Sequence, residues 1–323
     1  MQNDSQTVGA AGEFGVIDRI VTTAGADTGG EVIIGPGDDA AVVAAPDQRV
    51  VISTDVYVEG RHFRQDWSSA EDIGHRVVAS AVADIAAMGA RATSVVIGVA
   101  CPAQTELRWL DSFSLGVRDE CATAGAALVG GDMSSSDAIV ISVTALGDLG
   151  GHAAVVRSGA VPGDVVAVAG TLGHAAAGLA ILSRGFRSGK AFIEAHRRPQ
   201  PPYAEGPRAL AHGAHAMCDV SDGLLADLGH IAKASGVWID VAGGSFEIPP
   251  RMAEIAGALG ADPLQWITAG GEDHALAATY PADRVPEGWH VVGEVREAST
   301  EGPRVTLDGA APEVTGWTHF GDR

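Results

Sequence analysis

Acidic residues recur in four short polar segments, and each segment follows an apolar stretch of the chain. The segments are Gly35-Pro-Gly-Asp38-Asp39, Ser53-Thr54-Asp55, Gly130-Gly131-Asp132 and Asp219-Val-Ser221-Asp222-Gly223. Each segment alone is typical of a turn or a helix N-cap, because Asp, Ser and Gly favour both. Together they supply many carboxylate oxygens, which are the ligands that hard cations such as Mg²⁺ prefer. The set therefore predicts a site in which several magnesium ions hold phosphate groups.

A further carboxylate, Asp84, lies in a stretch with helical periodicity. With Val77, Ala81 and Met88 it occupies one helical face, at spacings of i, i+4, i+7 and i+11. Burying a carboxylate in an apolar face is costly unless it is paired or binds a metal. Few basic residues lie in these segments, so we expect Asp84 to face a cleft and bind a cation.

Charge excludes several classes of partner. The 323 residues include 21 Lys and Arg against 41 Asp and Glu, so the formal net charge is −20. An acidic surface repels the phosphates of nucleic acids and anionic membranes, and we expect neither as a partner. Anionic substrates would need cations between them and the protein. The three cysteines are far apart and form no C-x-x-C, which indicates neither a disulfide framework nor a zinc site.

The first residues show no signal-peptide pattern, and no uncharged apolar stretch is long enough to span a bilayer. We therefore expect a cytoplasmic protein.

Two other phosphate-binding motifs fit poorly. The segment 35–40 matches G-x-G-x-x-A, but two aspartates would face the pyrophosphate and Pro46 interrupts any following helix. The segment 185–191 is one residue short of a P-loop and has Ala191 where Ser or Thr would bind Mg²⁺. No G-x-S-x-G or H-E-x-x-H pattern supplies a nucleophile or a zinc site. Phosphoryl transfer needs no protein nucleophile, only positioning and charge neutralisation.

Predicted helices and strands alternate within two halves of the chain, which are of similar size. Breaker-rich segments near residue 150 predict a boundary between an N-terminal α+β domain over 1–148 and a C-terminal α/β domain over 149–323. Five helices are expected over 14–21, from a capping box at Ser68-Ser-Ala-Glu71 to about Met88, from a Thr105 cap to Gly125, from a Thr171 cap, and over 221–235. Two more are expected, one after the segment 199–202 and one that starts at Pro249-Pro250. The expected strands include 31–35, 40–44, 50–54, 94–100, 127–129, 138–146, 164–168, 237–241, 274–279, 291–295 and 305–307.

The polar segments occur in a fixed order with several others. The ordered motifs are Gly37-Asp38-Asp39-Ala-Ala, Ser53-Thr54-Asp55-Val, Gly60-Arg-His62-Phe63, Ala83-Asp84-Ile-Ala-Ala-Met-Gly89, Gly130-Gly131-Asp132, Arg157-Ser-Gly, Asp219-Val-Ser221-Asp222-Gly-Leu and Gly270-Gly-Glu272-Asp273. This set closely resembles the thiamine-monophosphate kinases, a family of the aminoimidazole-ribonucleotide-synthetase-like superfamily. The resemblance covers roughly residues 12–320.

The resemblance implies a fold and an activity. The fold would have two domains of α+β and α/β type, with N-terminal strands that form a barrel shared by a homodimer and a C-terminal α/β domain. The activity would be the ATP-dependent conversion of thiamine monophosphate to thiamine diphosphate, the last step of thiamine diphosphate biosynthesis. Several Mg²⁺ ions would take part, with ATP as co-substrate.

The resemblance also assigns roles to residues of this sequence. Metal ligands would be Asp39, Ser53, Thr54, Asp55, Asp84, Asp132, Asp219 and Asp222. ATP contacts would be Gly131, Asp132, Arg157 and Ser221, and contacts to thiamine monophosphate would be His62, Glu272 and Trp317. Arg157 can pair with a phosphate in fork geometry, and the indole of Trp317 offers an aromatic face to a cationic ring.

The sequence departs from the family pattern at three positions near these motifs. Met133 stands where Thr is usual, and His274-Ala275 stand where Tyr or Phe and then Glu are usual. These changes touch the rims of the expected pockets.

Rival interpretations are a selenophosphate synthetase or an aminoimidazole ribonucleotide synthetase, and, from another class, a non-catalytic nucleotide-binding scaffold. A selenophosphate synthetase would need a reactive N-terminal Cys, whereas Cys101 is the first cysteine here.

Overall fold

The computed structural model describes residues 7–24, 32–34, 40–186, 188–300 and 302–317. These residues form two units, one within residues 1–85 and 90–152 and the other within 86–89 and 153–323. The predicted mixture of helices and strands is present in both units. Asp38 and Asp39 lie outside the described residues, and the predicted strand 31–35 is described only over Val32–Ile34.

The first unit contains a four-stranded sheet. Its elements are α1 (Val8–Ala24), β1 (Val32–Ile34), β2 (Val42–Val43), β3 (Val51–Val58), α2 (Ala70–Ala87), β4 (Arg91–Cys101), α3 (Leu107–Ala124), β5 (Ala127–Ser135) and β6 (Val140–Asp148). The sheet order is β3-β6-β4-β5, in which only β4 and β5 run parallel. Strands β1 and β2 form a separate antiparallel pair.

Helices α2 and α3 pack with their backbones in close contact. A Cβ atom on Gly116 would lie 2.0 Å from the carbonyl oxygen of Glu71, and one on Gly74 would lie 2.3 Å from that of Phe113. Only glycine allows so close an approach, because any side chain would overlap the opposite helix. The contact fixes the position of α2, the helix that carries Asp84.

Helix ends in this unit differ in detail from the predicted caps. The capping box of α2 is one residue later than expected: the Asp72 amide donates to Ser69 Oγ (3.1 Å), and the Ser69 amide donates to the Asp72 carboxylate (2.9 Å). Thr105 does not cap α3, which starts after Glu106 without a side-chain cap. The predicted end at Gly125 is confirmed, because this residue adopts the left-handed conformation (φ 70°) that ends many helices.

Two of the predicted acidic turns lie inside strands. Residues 53–55 pair with β6 along the middle of β3, and residues 130–132 pair with β4 along the middle of β5. Their turn-like composition was misleading, because β6 pairs with residues 53–55 and β4 pairs with residues 130–132. The expected strand over 50–54 is present and continues to Val58. Gly131 suits its position in β5, since a Cβ atom there would lie 2.2 Å from the carbonyl oxygen of Ile97.

The second unit is built on a six-stranded sheet of order β12-β9-β11-β7-β10-β8, with only β9 and β12 parallel. Its elements are β7 (Val165–Ala169), α4 (His174–Ser183), α5 (Lys190–Arg197), α6 (Glu205–Ala211), β8 (Ala216–Val220), α7 (Leu224–Ser235), β9 (Val237–Val241), α8 (Pro250–Leu259), α9 (Pro263–Ala269), β10 (Ala275–Tyr280), β11 (His290–Glu297) and β12 (Arg304–Leu307), with short 3₁₀ turns at Arg157–Gly159 and Gly243–Ser245.

Both faces of this sheet are covered. Val166 and Val168 of β7 belong to the cluster that contains Leu228 of α7, whereas Ala167 and Ala169 belong to the cluster on the opposite face. This alternation explains why the strand residues read as continuous apolar runs in the sequence. Among the described residues, no helix is long and apolar enough to cross a membrane.

Two predicted helix starts in the second unit were wrong. Helix α4 begins at His174 after Gly173, so Thr171 is not its cap. Helix α7 begins at Leu224 rather than at Ser221, because Gly223 (φ 131°) is not helical and residues 221–223 form a turn. The P-loop-like segment precedes α5 and follows α4, without the strand that a phosphate-binding loop requires.

Candidate active site

In the first unit, Ser53 and Asp84 are in direct contact. The Ser53 hydroxyl donates to Asp84 Oδ2 at 2.5 Å, so strand β3 meets helix α2 through two oxygen-bearing side chains. Asp55 is two residues further along β3 and therefore points to the same face as Ser53. Asp84 is half-buried at this position. The face that β3 presents to α2 thus carries three oxygen donors that were predicted as metal ligands.

Two other predicted ligands lie on the opposite face of the same sheet. Thr54 alternates with Ser53, and its Oγ1 lies 2.9 Å from Thr144 Oγ1. Asp132 is exposed, whereas its neighbour Met133 is buried, so Asp132 points away from the face that carries Ser53. The structure therefore divides the predicted ligands of the first unit between two faces.

The donor chemistry on the Ser53 face fits a hard divalent cation. Hydroxyl and carboxylate oxygens suit Mg²⁺, which binds few protein ligands and keeps several waters. In the part of the chain that the structure describes, no group of three or more His, Cys, Asp or Glu side chains is close enough to hold a metal by itself. A cation here would thus complete its shell with water, with hydroxyls or with substrate oxygens.

His62 lies in the turn after β3. Its Nδ1 accepts a hydrogen bond from the Val58 amide at 3.0 Å, and its ring contacts Tyr57 edge to face at 5.8 Å between centroids. These contacts fix the ring plane. The bond at Nδ1 also leaves the proton of a neutral imidazole on Nε2.

In the second unit, Asp219, Ser221 and Asp222 lie where β8 ends and α7 begins. Asp219 is still in the strand and is buried, while Ser221 and Asp222 form the turn. The buried carboxylate of Asp227 accepts hydrogen bonds from the amides of Asp222 (3.1 Å) and Gly223 (3.0 Å). Asp227 therefore determines the shape of the turn that presents the two predicted site residues.

The segment 270–274 is bound to that turn by backbone hydrogen bonds. The Glu272 amide donates to the Ser221 carbonyl (2.8 Å), and the His274 amide donates to the Val220 carbonyl (2.9 Å). Glu272 (φ 71°) and His274 (φ 52°) both have the left-handed backbone that non-glycine residues seldom adopt. Such conformations persist where the surroundings impose them.

Asp273, between these two residues, caps helix α4. Its carboxylate accepts hydrogen bonds from the amides of Gly173 (2.6 Å) and Ala175 (2.8 Å), and the side chain is buried. This cap replaces the one expected from Thr171. It also connects α4 to the segment that carries Glu272, so the cap and the two backbone bonds together hold the strained segment in place.

Trp317 lies beside the same turn. Its amide donates to the Asp222 carbonyl at 2.9 Å, while 54% of the residue surface remains exposed. Close packing of Gly316 supports this placement, because a Cβ atom there would lie 2.5 Å from the Asp222 carbonyl oxygen. The structure therefore brings Asp219, Ser221, Asp222, Glu272 and Trp317 together around one turn.

Arg157 is anchored elsewhere in the second unit. Its carbonyl accepts a hydrogen bond from the hydroxyl of Ser235, the last residue of α7, at 2.8 Å. Ser221 and Asp222 precede the other end of this helix, which is about 18 Å long at 1.5 Å per residue. The backbone of Arg157 is thus not part of the turn, and its exposed side chain extends from a separate anchor.

Burial and hydrogen bonding change the pKa values of three groups in this region. Burial alone would lower the pKa of His274, but the hydrogen bond with Asp219 and the nearby negative charge of Glu272 outweigh it and raise the pKa to about 10. Burial raises the pKa of Asp273 to about 7, against the opposing effect of its two amide donors. Burial and then the nearby charge of Asp219 raise the pKa of Asp227 to about 7.

Sequence reasoning assigned no role to Asp227, Asp273 or His274. Asp273 adjoins Glu272 in a recognised motif, and Asp227 is an acidic residue in the first turn of α7, where helix capping is common. The sequence positions of Asp273 and Asp227 could therefore have indicated a role for both residues. The partner of Asp273, about a hundred residues away in the sequence, could not be inferred from local spacing.

Family models match both units. The model described as AIR synthase related protein, N-terminal domain, matches residues 37–149, and the corresponding C-terminal domain model matches residues 161–305. Curated relatives match over the full length. The thiamine-monophosphate kinase of Mycobacterium tuberculosis is 46% identical over 100% of this chain and 96% of its own, and that of Corynebacterium glutamicum is 39% identical over 98% and 96%.

Solved structures agree with these matches. The crystal structure of thiamine-monophosphate kinase from Stenotrophomonas maltophilia K279a has a TM-score of 0.80 and 32% identity, covering 92% of this chain and 96% of its own. The structure of AaThiL complexed with AMPPCP and TMP has a TM-score of 0.79 and 30% identity, covering 98% and 100%.

The buried carboxyl of Asp273 makes stability depend on pH. Its pKa is about 7 in the folded chain and near 4 when exposed, so the stabilisation from its protonation is complete below pH 4 and is lost as the pH rises through 7. We expect the unfolding temperature to fall between pH 5 and pH 8, and to fall less in Asp273→Asn. Differential scanning calorimetry across this range measures both slopes.

Asp262→Asn is the matched control, because Asp262 caps α9 at an exposed position by accepting from the Leu264 amide at 2.9 Å. This variant should keep the wild-type pH slope. Equal slopes in Asp273→Asn and the wild type would contradict the assignment of the effect to Asp273.

Proposed function

The chain belongs to the thiamine-monophosphate kinase family of AIR synthase related proteins, and we infer that it transfers the γ-phosphoryl group of ATP to thiamine monophosphate. Full-length identity of 46% to a curated kinase of this name carries the inference. The similarity to AaThiL, whose complex holds AMPPCP and TMP, supports both substrates. The products are thiamine diphosphate and ADP, so the reaction completes thiamine diphosphate biosynthesis.

We propose direct, in-line transfer without a phosphorylated enzyme. A phosphate oxygen of thiamine monophosphate forms the new bond to the γ-phosphorus, and the bond from that phosphorus to the bridging oxygen of ADP breaks. No Ser, Cys or His occurs in a motif that would activate it as a nucleophile. The three cysteines are buried, which also argues against a thiol nucleophile. The task of the protein is then positioning and charge neutralisation.

We propose that Mg²⁺ ions are held in the first unit by Ser53, Asp55 and Asp84, with Asp39, Thr54 and Asp132 as further ligands, and in the second unit by Asp219 and Asp222. The contact between Ser53 and Asp84, with Asp55 on the same face, supports the first three ligands, whereas Thr54 and Asp132 lie on the opposite face of the sheet. When bound, Mg²⁺ would neutralise phosphate charge and polarise phosphoryl oxygens. The chain itself has a net charge of −20 and could not otherwise hold two anionic substrates.

For ATP, we propose contacts from Gly131, Asp132, Arg157 and Ser221. Gly131 is exposed on β5, the edge strand of its sheet. Arg157 is exposed, and a guanidinium can form paired hydrogen bonds to a phosphate. Ser221 lies in the turn between β8 and α7, and its carbonyl accepts a hydrogen bond from the Glu272 amide that holds it there.

For thiamine monophosphate, we propose His62, Glu272 and Trp317. The substrate joins a cationic ring system to an anionic phosphate, so its ring end needs acidic and aromatic groups. Glu272 is part of a fixed segment, and its side chain is 37% exposed. Trp317 is anchored through its backbone and keeps its indole accessible for stacking on a cationic ring.

We also propose a homodimer in which the N-terminal strands form a shared barrel. On the face away from α2, β3 exposes two apolar residues, Ile52 at 65% and Val56 at 53%, on either side of Thr54. Ile33 on β1 is 67% exposed as well. Exposed apolar strand faces of this kind are typical of surfaces that a partner covers.

Finally, we propose a cytoplasmic location, where ATP is available. The three cysteines are free thiols, as expected of a protein from a reducing compartment.

A coupled assay of ADP release tests the activity. We expect turnover with ATP and thiamine monophosphate, and poor turnover with unphosphorylated thiamine, which brings no phosphate oxygen to accept the transferred group. Hydroxymethylpyrimidine phosphate serves as the control acceptor that lacks the thiazolium ring. Equal turnover of thiamine and its monophosphate would contradict the proposed acceptor.

Removal of metal or of one ligand tests the magnesium proposal. We expect EDTA to abolish turnover and added Mg²⁺ to restore it. Asp55→Asn should lower kcat about a hundredfold or more, because metal stabilisation of transition-state charge is worth several kcal/mol. Asp119→Asn, at an exposed position on α3, is the control and should behave as wild type. A folded and fully active Asp55→Asn would exclude Asp55 from the metal site.

Light scattering after size-exclusion chromatography tests the dimer. We expect a wild-type mass of about twice the 32.8 kDa chain mass and a monomer for Ile52→Asp, since a charge on the covered face would remain unpaired. Val291→Asp places the same charge at an exposed apolar residue of the second unit and should leave the mass unchanged. A monomeric wild type would exclude the shared barrel.

A further inference from the structure

His274 lies between two carboxylates to which the proposed function gives different tasks. Its Nδ1 is 3.1 Å from Asp219 Oδ2, and its Nε2 is 3.9 Å from Glu272 Oε2. The histidine and Asp219 are buried, whereas the Glu272 side chain is partly exposed. One edge of the imidazole thus faces Asp219, a proposed metal ligand. The other edge faces Glu272, which is proposed to bind the cationic ring of thiamine monophosphate.

The backbone fixes this ring in place. His274 has φ 52°, its amide is bound to the Val220 carbonyl, and the residue before it caps helix α4. The next residue, Ala275, begins β10 and pairs with Val220 of β8. His274 therefore directly precedes the strand that pairs with the strand of Asp219, and the backbone that carries its ring is fixed relative to that carboxylate.

We propose that His274 is a positioning residue that holds Asp219 and Glu272 in their working orientations and so couples the phosphate end of the acceptor site to the ring end. This inference rests on the proposed function. Asp219 and Glu272 are both acidic. The hydrogen bond from the fixed ring to Asp219 and the ionic contact from the same ring to Glu272 each remove rotational freedom from the carboxylate. Without the imidazole, Glu272 would sample more rotamers, and the carboxylates would lose a donor that they share.

The two edges of the ring can be tested separately. His274→Asn keeps an amide donor near the position of Nδ1 and suits a positive φ, since Asn tolerates this conformation well. It should hold Asp219 but lose the contact with Glu272. His274→Gln can place its amide nearer to Nε2 and should do the reverse. His274→Phe keeps the ring shape and removes both nitrogens.

Steady-state kinetics with each substrate varied in turn gives the main readout. We expect His274→Asn to raise KM for thiamine monophosphate about tenfold, because Glu272 loses the ionic contact that orients it. Its kcat and its KM for ATP should stay within about twofold of wild type, because the lost contact serves acceptor binding alone. His274→Gln should lower kcat more than it changes KM for the acceptor, and His274→Phe should show both defects.

Binding without turnover gives a second readout. Isothermal titration calorimetry with thiamine monophosphate and Mg²⁺, in the absence of ATP, should show the same rise of about tenfold in Kd for His274→Asn. The double variant His274→Asn with Glu272→Gln should bind no more weakly than Glu272→Gln alone, because the histidine acts through Glu272.

His215→Asn is the matched control. His215 contacts the buried Asp164 through Nδ1 at 3.0 Å, a similar His–Asp contact in the same unit but away from Glu272. It should alter the unfolding temperature without changing KM for thiamine monophosphate. Unfolding curves of all variants establish that each one is folded.

An unchanged KM and Kd in His274→Asn and His274→Phe would overturn the inference while leaving the proposed function intact. So would additive effects of His274→Asn and Glu272→Gln, which indicate independent roles. A wild-type chain that neither binds nor phosphorylates thiamine monophosphate would overturn the proposed function and the inference with it.

Discussion

A buried carboxylate needs hydrogen-bond donors, and this need determines the backbone arrangement around the site in the second unit. Asp219, Asp227 and Asp273 are all buried there, and each is satisfied differently. Asp227 accepts amides of its own turn, Asp273 accepts amides of α4, and Asp219 accepts from an imidazole ring. Two of these bonds shape the backbone that presents Glu272, Asp222 and Ser221. The local geometry of the site thus depends on acidic side chains that need contact no substrate.

The first unit deals with acidic groups in another way. Its oxygen donors are placed by strand alternation, because β3 presents Ser53 and Asp55 to one side and Thr54 to the other. A tight helix contact at Gly116 fixes α2, and with it the position of Asp84 beside Ser53. In the first unit, strand alternation and a glycine contact thus position the oxygen donors. In the second unit, buried carboxylates that accept backbone amides position the site residues.

Much of the fold could be predicted from sequence because local signals dominate it. Gly125 marks the end of α3, Pro250 marks the start of α8, and the continuous apolar strands of the second unit were recognised from composition. Motif order sufficed to identify the family. The failures came from partners distant in sequence. Ser53–Asp55 resembles a turn until β6 is known to pair with it, and Thr171 resembles a cap until Asp273 is known to take that role.

The alternation of β3 also bears on errors in folding. A slip of one residue against β6 would exchange its two faces, turning Ser53 and Asp55 outward and Ile52 and Val56 toward α2. The surface of the slipped chain would carry a hydroxyl and a carboxylate in place of its apolar residues, and the helix side would receive bulky side chains in place of oxygen donors. A misregistered molecule would therefore lack both the apolar surface of the proposed dimer and the oxygens of the proposed metal site. If both proposals hold, failure to associate would report the same defect as failure to bind metal, and the dimeric population would be enriched in chains with the correct register.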